Sequence, residues 1–277
     1  MSAETLEYHG TSGYANRPSD QYLHFVAHEG TQSQSLVALC RRIHAESYRL
    51  AGFINEAAIN PETGFVVDDL DKSTGASTEY LLGLHAGGNN SAVTMRKCHL
   101  GPTDDYTALP SYRMVAGSLS APGLEELQSI GCQGTRLKEI AALGRSQNAT
   151  PQALNELLRN AIQESLGRKE VWFFSMVTGT YDYIARVLGR DNLLTLGADV
   201  PLVDPRVMPG ILLRPALSHI DNVLENLLDD YEKARSDVER HRLRKSFLYF
   251  TEGLGRDKAG DRVYEAMQLL GTGHIES

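Results

Sequence analysis

Apolar residues recur along this chain with two periods, and the switches between them mark its elements. Residues 21–28 (QYLHFVAH) read as a first strand, and residues 34–49 set Leu36, Leu39, Cys40 and Ile43 on one face of a helix. That helix runs into Tyr48, Arg49 and Phe53. Two strand patterns, 78–85 (TEYLLGLH) and 91–99 (SAVTMRKCH), flank the turn signal Ala86-Gly87-Gly88-Asn89-Asn90 and predict an antiparallel hairpin. Residues 101–134 are rich in Pro, Gly and Ser, with short helical pieces only near 123–130. A loop of that length in a compact domain is expected to be functional or mobile. A strand then opens at Leu137, and Thr150-Pro151 starts a helix whose apolar stripe is Leu154, Leu157, Leu158, Ala161, Ile162 and Leu166. The unbroken apolar run 171–177 (VWFFSMV) predicts a central strand covered on both faces. A short helix over 181–188 and two late strands, 192–196 and 209–214, follow. Beyond Pro215, Ile220, Val223, Leu224, Leu227, Leu228 and Tyr231 recur at helical spacing, and two further helices are expected over 236–251 and 258–270.

These elements predict an irregular arm (residues 1–20), a mixed α/β (α+β) domain (21–215) and a C-terminal helical extension (216–277). Hairpins early and βα units late imply a mixed, mostly antiparallel sheet flanked by helices. The 42% apolar content supports a real core, and a net charge of −8 argues against a nucleic-acid partner. Cys40, Cys98 and Cys132 are widely separated, form no CxxC pair and fit a reducing cytosol. The first thirty residues have no apolar run of the signal-peptide kind, and no stretch of eighteen apolar residues occurs, so a cytoplasmic chain without a transmembrane segment is expected. The nine histidines show no metal-ligand spacing, so no metal is expected.

The chemistry centres on residues 137–166. A strand carrying Glu139 leads through a polar loop, 145–149, to a helix start whose free N–H groups suit an anion or a thioester carbonyl. An acid beside such a helix start points to acyl transfer. The alternative for Glu139 is a structural ion pair with Arg96 or Arg49.

The order of elements and motifs resembles the GNAT-like N-acyltransferases, in particular the autoinducer (acyl-homoserine lactone) synthases and the long-chain N-acyl amino acid synthases. Those families carry an arginine and an aromatic four residues apart after the first helix, matched by Arg49 and Phe53. Two aspartates three apart follow, matched by Asp68 and Asp71, then an arginine on the next strand, matched by Arg96. A glutamate begins the later strand, matched by Glu139. The resemblance covers about residues 21–215. The arginine expected three residues after the glutamate is Ala142, and the tryptophan expected after the aromatic is missing, since the single Trp is Trp172. Both departures count against lactone synthesis from S-adenosylmethionine.

The resemblance implies a GNAT-like fold and transfer of a fatty acyl group from an acyl carrier protein or acyl-CoA to the amine of an amino acid or related small metabolite. Glu139 would be the general base. Arg49, Phe53, Asp68, Asp71 and Arg96 would hold a zwitterionic acceptor, the arginines gripping its carboxylate. Leu143, Gly144, Arg145, Trp172 and Phe174 would line the acyl donor's path, with plain core as the alternative for the aromatic pair. No permanently bound cofactor is implied. The loop lacks the glycine-rich pyrophosphate pattern of acetyl-CoA enzymes, which favours a carrier protein docked on Arg145, Arg159, Arg168, Lys169 and Arg190. Tyr181 and Tyr183 start a helix where such enzymes often place the acid for the leaving thiolate, although the usual position is Ala185. The C-terminal helices, with ERHRLRK at 239–245, would pack on the domain or form a homodimer or carrier contact. Two other readings stay open: an autoinducer synthase, and a non-catalytic GNAT-like binding module.

Overall fold

The computed structural model describes residues 22–28, 34–66, 77–87, 91–101, 104–131 and 136–272. Strand β1 (Tyr22–His28) and helix α1 (Gln34–Leu50) precede the hairpin of β2 (Ser77–His85) and β3 (Ala92–His99). Short α2 (Tyr112–Val115) and α3 (Ala121–Gly131) lead to β4 (Leu137–Arg145), α4 (Pro151–Ser165), β5 (Val171–Val177) and α5 (Thr178–Leu188). The two-residue strands β6 (Leu194–Thr195) and β7 (Val200–Pro201) come before β8 (Leu212–His219). Helices α6 (Val223–Lys233), α7 (Asp237–Thr251), α8 (Arg256–Ala259) and α9 (Asp261–Thr272) complete the chain.

The strands make one sheet in the order β1-β2-β3-β4-β5-β8, with β6 and β7 both paired to the outer side of β8. Every pair is antiparallel except β4–β5. This is the mixed, mostly antiparallel sheet flanked by helices that the hydrophobic pattern predicts.

Period-two alternation decides which side chains meet which layer. On β3, Met95 packs with the α4 leucines and Lys97 reaches Ser165 at the end of α4. The intervening Thr94, Arg96 and Cys98 face the opposite layer, where Cys40 of α1 meets Thr94. The core on the α4 side continues through Trp172 and Phe174 of β5 into α5, α6, α7 and α9. On the other side, α1 covers β1–β3, while α2 and α3 cover Leu137, Phe173 and Leu217 of β4, β5 and β8. Thr150 caps α4 by accepting the Ala153 N–H at 3.3 Å, with Pro151 at the first helical position.

Three expectations change. Residues 101–134 are not one long loop. Their described part folds into α2 and α3 and seals one face of the sheet, with Leu109, Val115 and Leu127 fully buried. Glycine makes that docking possible: a β-carbon at Gly123 would lie 2.0 Å from the Leu196 carbonyl oxygen, and one at Gly197 2.1 Å from that of Ser118. The late strands also shift. The expected 192–196 shrinks to β6, and the expected 209–214 becomes β8, which runs on to His219. β8 therefore crosses the expected domain boundary at 215. Pro215 does not end it, because Pro215 pairs with Ser175 where β8's outer neighbour changes from β6 to β7.

Candidate active site

β4 and β5 pair only through Leu137–Val171, Lys138–Trp172 and Glu139–Phe173. Beyond that level both strands continue without a ladder between them. The cause lies on the other edge of β4. There Thr94 pairs with Gly144 and Arg96 with Ala141, so Met95 faces two residues, Ala142 and Leu143. That is a β-bulge, and Ala142 adopts φ 51° in the left-handed region. A bulge bends its strand and sharpens the local twist, which turns β4 away from β5.

The gap opens into a cavity of about 530 Å³. It passes through the split sheet, so its wall has two halves. The α4/α5 side is apolar: Ile140, Leu154, Leu158, Phe174, Met176 and Ile184. The α1 side carries the polar groups His44, Ser47, Tyr48, Arg96 and Ser111, joined by Asp204 and Arg206 from the segment between β7 and β8 and set among Phe53, Ile54, Ala58 and Met114. α1 lies close over the bulge, since a β-carbon at Gly144 would sit 3.1 Å from Ser47 Cβ. Residues 53–55 and 204–208 are zipped together beside the polar half. Asn55 N donates to Arg206 O at 3.1 Å, Met208 N donates to Phe53 O at 2.9 Å, and Ile54 bridges Val207.

Glu139 does not line the cavity. Its carboxylate is wholly buried behind the polar wall, one oxygen 3.5 Å from Arg96 Nη2 and the other accepting the Ser111 N–H at 2.8 Å. Burial pushes its pKa up, against the opposing pull of Arg96 and Ser111. The ion pair with Arg96, weighed as the alternative to a direct base, is therefore formed, and Arg49 is not part of it.

His44 is the titratable ring on the polar side. Burial, then the charges of Arg96 and Arg41, lower its pKa to about 3, so it is neutral at physiological pH. Its ring meets Tyr48 edge-on with centroids 4.1 Å apart, and Tyr48 in turn meets Phe53 at 5.7 Å. Its Nε2 is buried and has no hydrogen-bond partner among the described residues. Asp204 and Arg206 form a two-pronged pair, Nε to Oδ1 at 2.8 Å and Nη2 to Oδ2 at 2.6 Å, which holds the Asp204 pKa below the usual range. On the apolar side, Tyr183 lines the cavity with its hydroxyl donating to Asn155 Oδ1, and burial raises its pKa.

Of the expected residues, Phe53, Arg96, Leu143, Gly144, Arg145 and Phe174 line the cavity. Arg49 is exposed at the end of α1 and is not part of the wall. Asp68 and Asp71 lie outside the described residues. Trp172 does not line the cavity: it is fully buried in the core, its Nε1 donating to Glu170 Oε2 at 3.3 Å. Tyr181 sits under the Arg214 guanidinium, away from the wall. In the expected carrier-docking patch, Arg145 donates to Ala149 O at 2.6 Å, Arg159 pairs with Glu252 at 2.7 Å, and Arg168 pairs with Glu164 at 3.3 Å.

His44, Ser111, Asp204 and Arg206 were missed. His44 had a signal, because it stands one turn before Tyr48 on the same helix face. The other three had none, because long-range packing brings them to the cavity.

No family model and no curated protein matches this chain. Among solved structures it is similar to FeeM, an N-acyl amino acid synthase from uncultured soil microbes. The identity is 14%, covering 73% of this chain and 95% of that one, at a TM-score of 0.45. It is also similar to MesI, a CoA-dependent acyl-homoserine lactone synthase, at 13% identity, 77% and 88% coverage and a TM-score of 0.43. The resemblance read from the sequence motifs thus meets the same two kinds of synthase among solved structures.

Proposed function

We propose that this chain transfers a fatty acyl group from a thioester to the amine of an amino acid or a related small metabolite. The split of the sheet supports this most strongly: one cavity with an apolar half and a polar half, joined at the β4 bulge. An acyl chain in the apolar half gains about 0.8 kcal/mol for each methylene removed from water. β4 backbone groups beyond Glu139, left without a β5 partner, face the level where the thioester carbonyl would sit and would polarise it. The polar half suits the acceptor: Arg96, held at Nη2 by Glu139, would present its guanidinium to a carboxylate, and the Asp204–Arg206 pair frames that end of the wall.

Glu139 serves this site as a positioning residue. It holds Arg96 in the wall, and its carboxylate acts through that guanidinium. The donor is acyl-CoA or an acyl carrier protein. Because Arg159 and Arg168 already have carboxylate partners, carrier docking would rest on the remaining basic residues, Arg145, Lys169 and Arg190.

The test is thiol release from dodecanoyl-CoA and from dodecanoyl carrier protein, each with a panel of the twenty L-amino acids, and mass spectrometry of the products. Amine-dependent thiol release with an N-dodecanoyl product is expected. Thermal stabilisation by the thioester with no thiol release under any condition would instead make this a binding module. A lactone formed only with S-adenosylmethionine would make it an autoinducer synthase.

A further inference from the structure

The cavity holds a polar atom that the expected acyl-transfer residues leave without a task. His44 Nε2 is buried in the polar half with no partner among the described residues. A buried, unsatisfied ring nitrogen costs about 1–3 kcal/mol, and such a group in a cavity wall calls for an occupant that satisfies it. The imidazole is neutral, with one N–H and one lone pair; in the tautomer with its proton on Nδ1, Nε2 is the acceptor and the partner it lacks is a donor. The edge-on contact with Tyr48 fixes the ring plane. Glu139 holds Arg96 in the same wall through Nη2, so the wall sets a guanidinium for a substrate carboxylate beside a neutral ring nitrogen for a substrate N–H.

We propose that His44 is the catalytic proton relay of this site, accepting the N–H of the attacking amine at Nε2. This rests on the acyl-transfer reading. The acceptor attacks as the free amine. The N–C bond forms and the carbonyl pair moves to oxygen. The nitrogen of the adduct now carries a positive charge beside an electron-poor carbon and is far more acidic than the parent ammonium, so a weakly basic imidazole suffices. The proton passes to Nε2. The C–S bond then breaks, the carbonyl re-forms, and the proton leaves Nε2 for the departing thiolate. The products are an amide and a thiol, with His44 neutral again.

Two measurements test this. With dodecanoyl-CoA and the amino acid that the wild type uses best, His44→Phe keeps the ring stacked on Tyr48 but removes the lone pair. It is expected to lower kcat about a hundredfold or more, while KM for the thioester stays within about threefold. A kcat within about threefold of wild type in a folded His44→Phe protein overturns the assignment. The second measurement does not need turnover: ¹⁵N spectra of the histidine rings in the wild type, with the non-reactive thioether dodecyl-CoA bound and the same amino acid panel added. The Nε2 resonance of His44 is expected to move on adding an amine and to stay put with the corresponding N-acetylated acids. An unmoved Nε2 resonance while other cavity residues shift overturns the relay. Wild-type protein inert in every thiol-release assay overturns the acyl-transfer reading, and the relay with it.

Discussion

His24 of β1 is buried, and both its ring nitrogens lack partners among the described residues. Burial, then the charge of Arg159, lowers its pKa to about 4. The unfolded chain binds a proton at His24 near pH 6.5 that the folded chain refuses until about 4. Stability is therefore fully present above about 6.5 and is lost as the pH falls toward 4; His44, at about 3, adds a loss in the same direction. At 1.36 kcal/mol per unit, His24 accounts for roughly 2–3 kcal/mol of lost stability between pH 7.5 and 4.5. Urea unfolding at the two pH values checks this, and His24→Leu should shrink the difference by that amount, leaving the His44 share. Glu139→Gln is the second residue-scale change. It takes the carboxylate from beside Arg96 while the amide oxygen can still accept the Ser111 N–H, so a stability loss of about 2 kcal/mol in denaturant melts is expected. The motif order singled out Glu139 and Arg96 in separate roles, and an ion pair with Arg96 or Arg49 was the alternative for Glu139. It did not show that the pair faces inward, because whether a carboxylate meets solvent, substrate or guanidinium depends on what covers its strand.

At the scale of elements, the bulge in β4 is the feature on which the cavity depends. Ala142 occupies a backbone region that costs a residue with a β-carbon roughly 1–2 kcal/mol. Ala142→Gly should raise stability by about 1 kcal/mol, read as a shift in denaturant midpoint. Ala142→Val, stiff at its branched β-carbon, should lower stability by more than that and reduce thiol release, because β4 would lose its bend. In the sequence, Ala142 looked only like a vacancy where the synthases it resembles keep an arginine. A bulge is invisible there, since it arises from register between β3 and β4 and not from any local preference of Ala142 and Leu143. The helices were easier to read. Thr150, Pro151 and the leucine stripe of α4 are local signals, and each does in the fold what local chemistry predicts.

At the scale of the whole molecule, the C-terminal helices belong to the core. Leu224 and Leu227 of α6 and Phe247 and Phe250 of α7 are buried in the same cluster as Leu157 and Leu158 of α4. A chain ending at His219 would expose that whole apolar face, and its expected fate is aggregation, checked by soluble yield and near-ultraviolet circular dichroism against the full chain. The apolar stripe of α6 therefore packs within the chain, as its spacing anticipated. The sequence alone determined most helices, most strands and the mixed sheet class, because periodicity, capping and turn residues act over a few neighbours. The tertiary structure decided where β4 and β5 part, that Arg49 and Trp172 stand away from the cavity, and that His44, Ser111, Asp204 and Arg206 stand at it. The physical reason is that a cavity is made by register and layer packing between segments far apart in the chain, and no single segment carries that information.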